Sequence, residues 1–156
     1  IEQIEIADTS NREGHAAKVY FNALFGTEFT RSADIPLNAA LNYGYSIILS
    51  AFNREINSRG YLTQLGLFHD NMFNHFNLSC DLMVPFRIIV DRYVYELNPK
   101  RFEKEEKHSL WGILNTTVFI DGTRQTALNA VKIYAGSIFE ALNDKEISRI
   151  KFYSFI

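Results

Sequence analysis

The chain has a single cysteine, Cys80, and so has neither a partner for an intrachain disulfide nor a second thiolate for a sulfur-ligated metal site. On a helical stretch that residue reads as a small core side chain. An excess of positive charge is also missing: 16 Lys and Arg stand against 18 Asp and Glu, for a formal net charge of −2. This balance excludes a protein coated in positive potential, so any nucleic-acid contact has to come from a local patch or from other chains of a complex. No window approaches the roughly 18 uninterrupted apolar residues of a membrane span, and the N-terminus lacks the basic-then-apolar order of a signal peptide. A cytoplasmic protein is the expectation. Internal repeats and low-complexity tracts are absent as well. The opening Ile1-Glu2-Gln3-Ile4-Glu5-Ile6-Ala7 is abrupt and reads as a segment cut from something longer.

What is present is apolar material. With 47% hydrophobic and 14% aromatic residues in a chain of 156, disorder is excluded and one sizeable core is expected, hence one domain over residues 1–156. Ser10 followed by Glu13 has the pattern of a capping box, and good helix formers run from Asn11 to Leu24 before Gly26. Pro36 suits the first turn of a second helix, with Asp34 as its cap. Apolar residues at Leu37, Ala40, Leu41, Tyr45, Ile48, Leu49, Phe52 and Ile56 share one broad helical face, and Gly60 ends it.

Residues 61–77 read as short helical pieces broken at Gly66. The next helix spans Asn77 to Glu96 and is either kinked at Pro85 or begins there. The charged run from Lys100 to His108 reads as a solvated face. Thr116 to Ile120 followed by Asp121-Gly122 signals a hairpin, and helical spacing returns from Ala127 to Asn143. The fold expected is all-α, a helical bundle with a small β-hairpin near residues 117–124.

Three words in the sequence carry chemistry. They are Asn11-Arg12-Glu13-Gly14-His15-Ala16-Ala17, Leu67-Phe68-His69-Asp70-Asn71, and Asp81-Leu82-Met83-Val84-Pro85-Phe86-Arg87. Carboxylates with one imidazole suit Mg2+ or Mn2+, hard cations that favour oxygen donors and leave positions open for phosphate oxygens. Helices of a bundle can bring such residues together.

With Leu37 to Tyr45 and Asn77 to Met83 added, these words resemble the C-terminal helical domain of the CRISPR spacer-acquisition integrase, the first of the universal CRISPR-associated proteins, in its type II form. The resemblance is specific from Asn11 to Tyr95 and looser beyond, and that family's N-terminal β domain is expected to be absent from residues 1–156. The resemblance implies a metal-dependent integrase or endonuclease that joins the 3′ ends of a short DNA fragment to a CRISPR repeat by transesterification. Its implied partners are DNA, a small adaptation subunit and, in the full-length protein, a second copy of itself.

By position in the words, Glu13 and His69 match two metal ligands, and the third, acidic in the family, falls on Val84. Ile88 likewise stands where a proline is common. Valine has no donor atom, so impaired chemistry is expected, with Asp81, three residues earlier on the same helical face, as a partial stand-in ligand. Arg12, Lys18, Arg87 and Arg92 suit phosphate contacts, against the alternative of ion pairs with Asp91 and Glu96. Tyr43 and Tyr45 read as core residues before they read as base-stacking ones, and His15, His75 and His108 as surface residues. A non-catalytic DNA-binding module of the adaptation complex is the rival reading.

Overall fold

The computed structural model describes residues 12–155. Among them are six α-helices and one hairpin: α1 (Arg12–Phe25), α2 (Pro36–Ser58), α3 (Asn77–Met83), α4 (Arg87–Leu97), α5 (Lys104–Leu110), β1 (Thr117–Ile120), β2 (Thr123–Thr126) and α6 (Ala127–Asp144). The architecture is all-α with a small antiparallel hairpin, as the spacing of apolar residues predicts. No described helix is long and apolar enough to cross a membrane.

Helix α2 is the axis of the bundle and packs against α3, α4, α5 and α6. Its expected apolar face is buried at Ala40, Leu41, Ile48, Phe52 and Ile56. Phe52 sits edge-on to Phe86, with centroids 5.2 Å apart, and both are fully buried. Each such side chain contributes ~1.5–3 kcal/mol through burial. Gly44 lets α4 come close to α2: a Cβ there would lie 2.5 Å from Cγ1 of Val90.

The start of α2 departs from expectation. Pro36 is in the first turn, but the residue before the helix is Ile35, which makes no side-chain cap bond. Asp34 is therefore not the cap. Proline at this position already lacks one of the N–H groups that a cap would satisfy. The proposed box at Ser10 lies outside the described residues. Gly26 and Gly60 follow α1 and α2 at φ +100 and +80, the left-handed conformation that glycine adopts without strain.

Residues 61–76 hold no helix, contrary to the expected short helical pieces. Side chains outside a local helical ladder satisfy this backbone instead. Asn77 Nδ2 donates to the carbonyls of Gln64 and Asn71 at 3.0 and 2.9 Å, and Thr63 Oγ1 donates to the carbonyl of His75 at 2.8 Å. The segment that follows resolves the two alternatives at Pro85 with a third arrangement. A 3-10 turn at Val84–Phe86 joins α3 to α4, and the carbonyl of Pro85 accepts from the Tyr153 hydroxyl at 2.8 Å. The hairpin turns at Asp121 and Gly122, both at positive φ, as an Asp-Gly turn requires.

Candidate functional site

His69 lies in the irregular segment and owes its place to Asp81 on α3. Oδ2 of Asp81 accepts the backbone N–H of Leu67 at 2.6 Å and of Phe68 at 3.1 Å. Oδ1 accepts the N–H of His69 at 3.1 Å and faces the ring Nδ1 of His69 at 2.5 Å. The Asp81 side chain is 8% exposed and that of His69 41%. Burial pushes the Asp81 carboxyl up, but the His69 ring and the three N–H groups together outweigh it and hold the group below the usual carboxylate range. An ionised Asp81 keeps the proton of a neutral His69 ring on Nδ1, which leaves the lone pair on Nε2. Gly66 completes the loop: a Cβ there would stand 2.2 Å from the His69 carbonyl oxygen.

Val84 heads the 3-10 turn three residues after Asp81 and is 49% exposed. It is not a core residue, and Ile88 beside it is 48% exposed. Glu13 is in the first turn of α1, exposed like Arg12 and Lys18 on the same helix. None of the described residues of α1 is buried. That helix meets α4 where the Tyr20 hydroxyl donates to Oδ2 of Asp91 at 2.9 Å and where the rings of Phe25 and Tyr95 are 6.1 Å apart. The structure thus brings His69 and Asp81 into direct contact, with Val84 beside Asp81 in sequence and exposed, and carries Glu13 on a separate helix.

The donor set as written does not fit a divalent cation. Glu13 and His69 offer one group each, Val84 offers none, and both oxygens of Asp81 already face N–H donors. Asp81, expected as a stand-in ligand, has instead the work of holding the His69 loop. Among the described residues no three His, Cys, Asp or Glu side chains form a group able to hold a metal ion.

A cleft of about 540 Å3 opens between α1, α2 and α4, lined by Tyr20, Arg31, Tyr45, Met83, Arg87 and Asp91. Asp91 is 3% exposed and takes hydroxyl hydrogen bonds from Tyr20 on Oδ2 and from Tyr45 on Oδ1. Burial pushes the Asp91 carboxyl up, an effect that the two hydroxyls and the Arg31 and Arg87 charges reduce without cancelling. Burial and the Asp91 charge also push both phenols far above their ordinary value. Arg87 and Arg31 lie 5.9 and 5.7 Å from the centre of the Tyr45 ring. Arg92, in contrast, pairs with Glu96 at 3.0 Å and lies over Phe155, the ion-pair alternative for that residue. Sequence reading missed the Asp91 cluster. Its signal was an acid on the apolar stretch between Val90 and Val94, seven residues after Val84.

The family model described as CRISPR associated protein Cas1 matches residues 2–130. The chain is 35% identical over 154 residues to a CRISPR-associated endonuclease Cas1 of Neisseria meningitidis serogroup C (strain 8013), covering 96% of this chain and 51% of that relative. It is 34% identical over 103 residues to a CRISPR-associated endonuclease Cas1 1 of Thermodesulfovibrio yellowstonii, covering 60% and 32%. The chain therefore spans about half the length of the first of these relatives and a third of the second. A casposase bound to integration product shares the fold with a TM-score of 0.76 at 21% identity, over 92% of this chain and 49% of that one. A chain of a Cas6-RT-Cas1–Cas2 complex does so with a TM-score of 0.73 at 21% identity, over 94% and 19%.

Proposed function

The chain belongs to the Cas1 family of CRISPR-associated proteins, and from that membership we propose that it is the helical catalytic module of a DNA integrase whose own chemistry is impaired at Val84. The reaction is transesterification: a DNA 3′-hydroxyl attacks a phosphodiester of a CRISPR repeat, one phosphate ester replaces another, and no external energy source is needed. Mg2+ or Mn2+ supplies charge stabilisation to such a reaction. With no donor atom at position 84, this chain does not complete the site for it.

The observation that carries this reading is the exposure of Val84, 49% at the head of the 3-10 turn that follows Asp81 by three residues. A valine that packed a core would be there for stability. An exposed one, three residues after the carboxylate that braces His69, supports the reading that position 84 has lost a donor. His69 retains its role through Asp81, a carboxylate–histidine pairing of the kind that orients metal-binding imidazoles. Arg12, Lys18 and Arg87 are the phosphate contacts, and Arg92 contributes charge while tied to Glu96. The partners are DNA, a small adaptation subunit and a second copy of the full-length protein, acting in the cytoplasm.

The same valine favours a second reading, a module that binds DNA ends and adaptation partners without chemistry of its own. Strand joining by the chain extended with the remainder of a full-length relative, in the presence of the small subunit, separates the two. Joined products that depend on an acid at position 84 support the impaired integrase. Binding with no joining from either residue supports the module, and cleavage without joining points to an endonuclease.

A further inference from the structure

Helix α1 carries Glu13 and fully buries none of its described residues; Phe21 and Phe25 pack half-buried against the core and Phe29, which holds the helix down without fixing its register along α4. Ring contacts such as Phe25 with Tyr95, at 6.1 Å and 48°, are attractive but tolerate sliding. A hydrogen bond does not, because it weakens steeply once distance or angle is lost. Tyr20 supplies one, at 2.9 Å to Asp91.

Asp91 is built as an anchor. It is 3% exposed on a helix that Gly44 seats against α2. The Tyr45 hydroxyl from α2 holds Oδ1, which leaves Oδ2 directed to Tyr20 on α1. The two helices run in the same direction, since Tyr20 meets Asp91 and, five residues later on α1 and four later on α4, Phe25 meets Tyr95. Counting back seven residues from each partner, 20 − 7 and 91 − 7, reaches Glu13 and Val84. Seven residues make two helical turns, about 10 Å, and return each helix to the same face. The 3-10 turn at Val84–Phe86 lengthens its side by only ~1–2 Å and turns Val84 by roughly 60°, which leaves it within about 40° of the Asp91 face.

We infer that the Tyr20–Asp91 hydrogen bond is a positioning latch that sets the register of α1 on α4 and so brings Glu13 level with Val84. The inference rests on the reading of Glu13 and Val84 as two sides of one site. Tyr20 and Asp91 are positioning residues: they touch no reacting atom and act through the helix that bears Glu13.

The test is cross-linking in the 156-residue chain with Cys80→Ala as background. Glu13→Cys with Val84→Cys should be bridged rapidly by a short bismaleimide under native conditions. Adding Tyr20→Phe should slow bridging about tenfold, the lower end of what a hydrogen bond to a charged group is worth, and lower the unfolding midpoint by no more than the few degrees that the same bond accounts for. Tyr61→Phe, a remote tyrosine that meets Asn143, should leave the rate unchanged. Asp91→Asn, with one oxygen left for two hydroxyls, should give a smaller loss and provides the reading if Tyr20→Phe does not fold. Absence of bridging with Tyr20 and Asp91 intact overturns the shared site and the latch with it. Bridging that proceeds at one rate in all these variants overturns the latch and leaves the shared site standing.

Discussion

Nδ1 of His69 stands 2.5 Å from Oδ1 of Asp81, and the same carboxylate closes the backbone of Leu67, Phe68 and His69 around it. A histidine on a stretch without regular secondary structure is thereby as fixed as one on a helix. Asp81→Asn keeps the size of the side chain but replaces one acceptor oxygen by an NH2 donor facing N–H groups. A loss of about 1.5–3 kcal/mol is expected, the worth of a hydrogen bond to a charged group. Urea unfolding measures the loss, and faster amide exchange at residues 67–69 localises it.

Gly66 tests the same loop from the other side. Its Cβ position lies 2.2 Å from the His69 carbonyl oxygen and 2.9 Å from Oδ2 of Asp81, so an alanine forces backbone apart rather than a flexible side chain. Gly66→Ala should destabilise by roughly 1–3 kcal/mol and accelerate exchange at the same amides. Stability equal to the parent would show that the loop yields without cost.

The helices were legible in the sequence because local spacing produces them. The faces of α2 and α6, the turn at Asp121-Gly122 and the stop at Gly26 all follow from residues within a few positions of each other. Residues 61–76 were misread as helical because the groups that hold them, Asp81 and Asn77, lie later in the chain and act only once it has folded. The same limit applies to the candidate site. Its words announce Glu13, His69 and the fault at Val84, but that Asp81 braces a loop and that Asp91 is buried between two tyrosines are properties of packing. Asp34 shows the limit at a helix end, where proline and Ile35 make a side-chain cap dispensable.

Asp91 gives the protein a pH dependence of defined sign. Its folded-state pKa is raised above the ordinary aspartate value of about 3.9, so the stability it contributes is full below about that pH and is lost as pH rises through the folded value. The groups facing it are Tyr20 of α1, Tyr45 of α2, Tyr153 near the C-terminus, and the cations Arg31 and Arg87. The tyrosines stay protonated across the range, Tyr153 itself pushed up to about 12 by burial and the Asp91 charge. Asp91→Asn removes the titration. Relative to the parent, its stability should therefore improve between pH 4 and pH 7, as followed by urea unfolding at several pH values. A difference that is constant with pH, or that moves the other way, contradicts the raised pKa.

In the proposed reading, Val84 is the residue on which activity turns. In a chain extended with the remainder of a full-length relative and supplied with the small subunit, Val84→Glu should raise strand joining by several orders of magnitude. It adds a donor and a full negative charge to a position that has neither, three residues after the carboxylate that orients His69. Val84→Ala should change little, since no functional atom is removed. At 49% exposure neither substitution disturbs a packed core, so stability should shift by no more than about 0.5 kcal/mol, and a change in joining can be read as chemistry. Manganese binding measured by electron paramagnetic resonance should appear with Val84→Glu and fall again when His69→Ala is added. Equal joining by the valine and glutamate forms would mean that another group already completes the site, and the impaired-enzyme reading would then be abandoned.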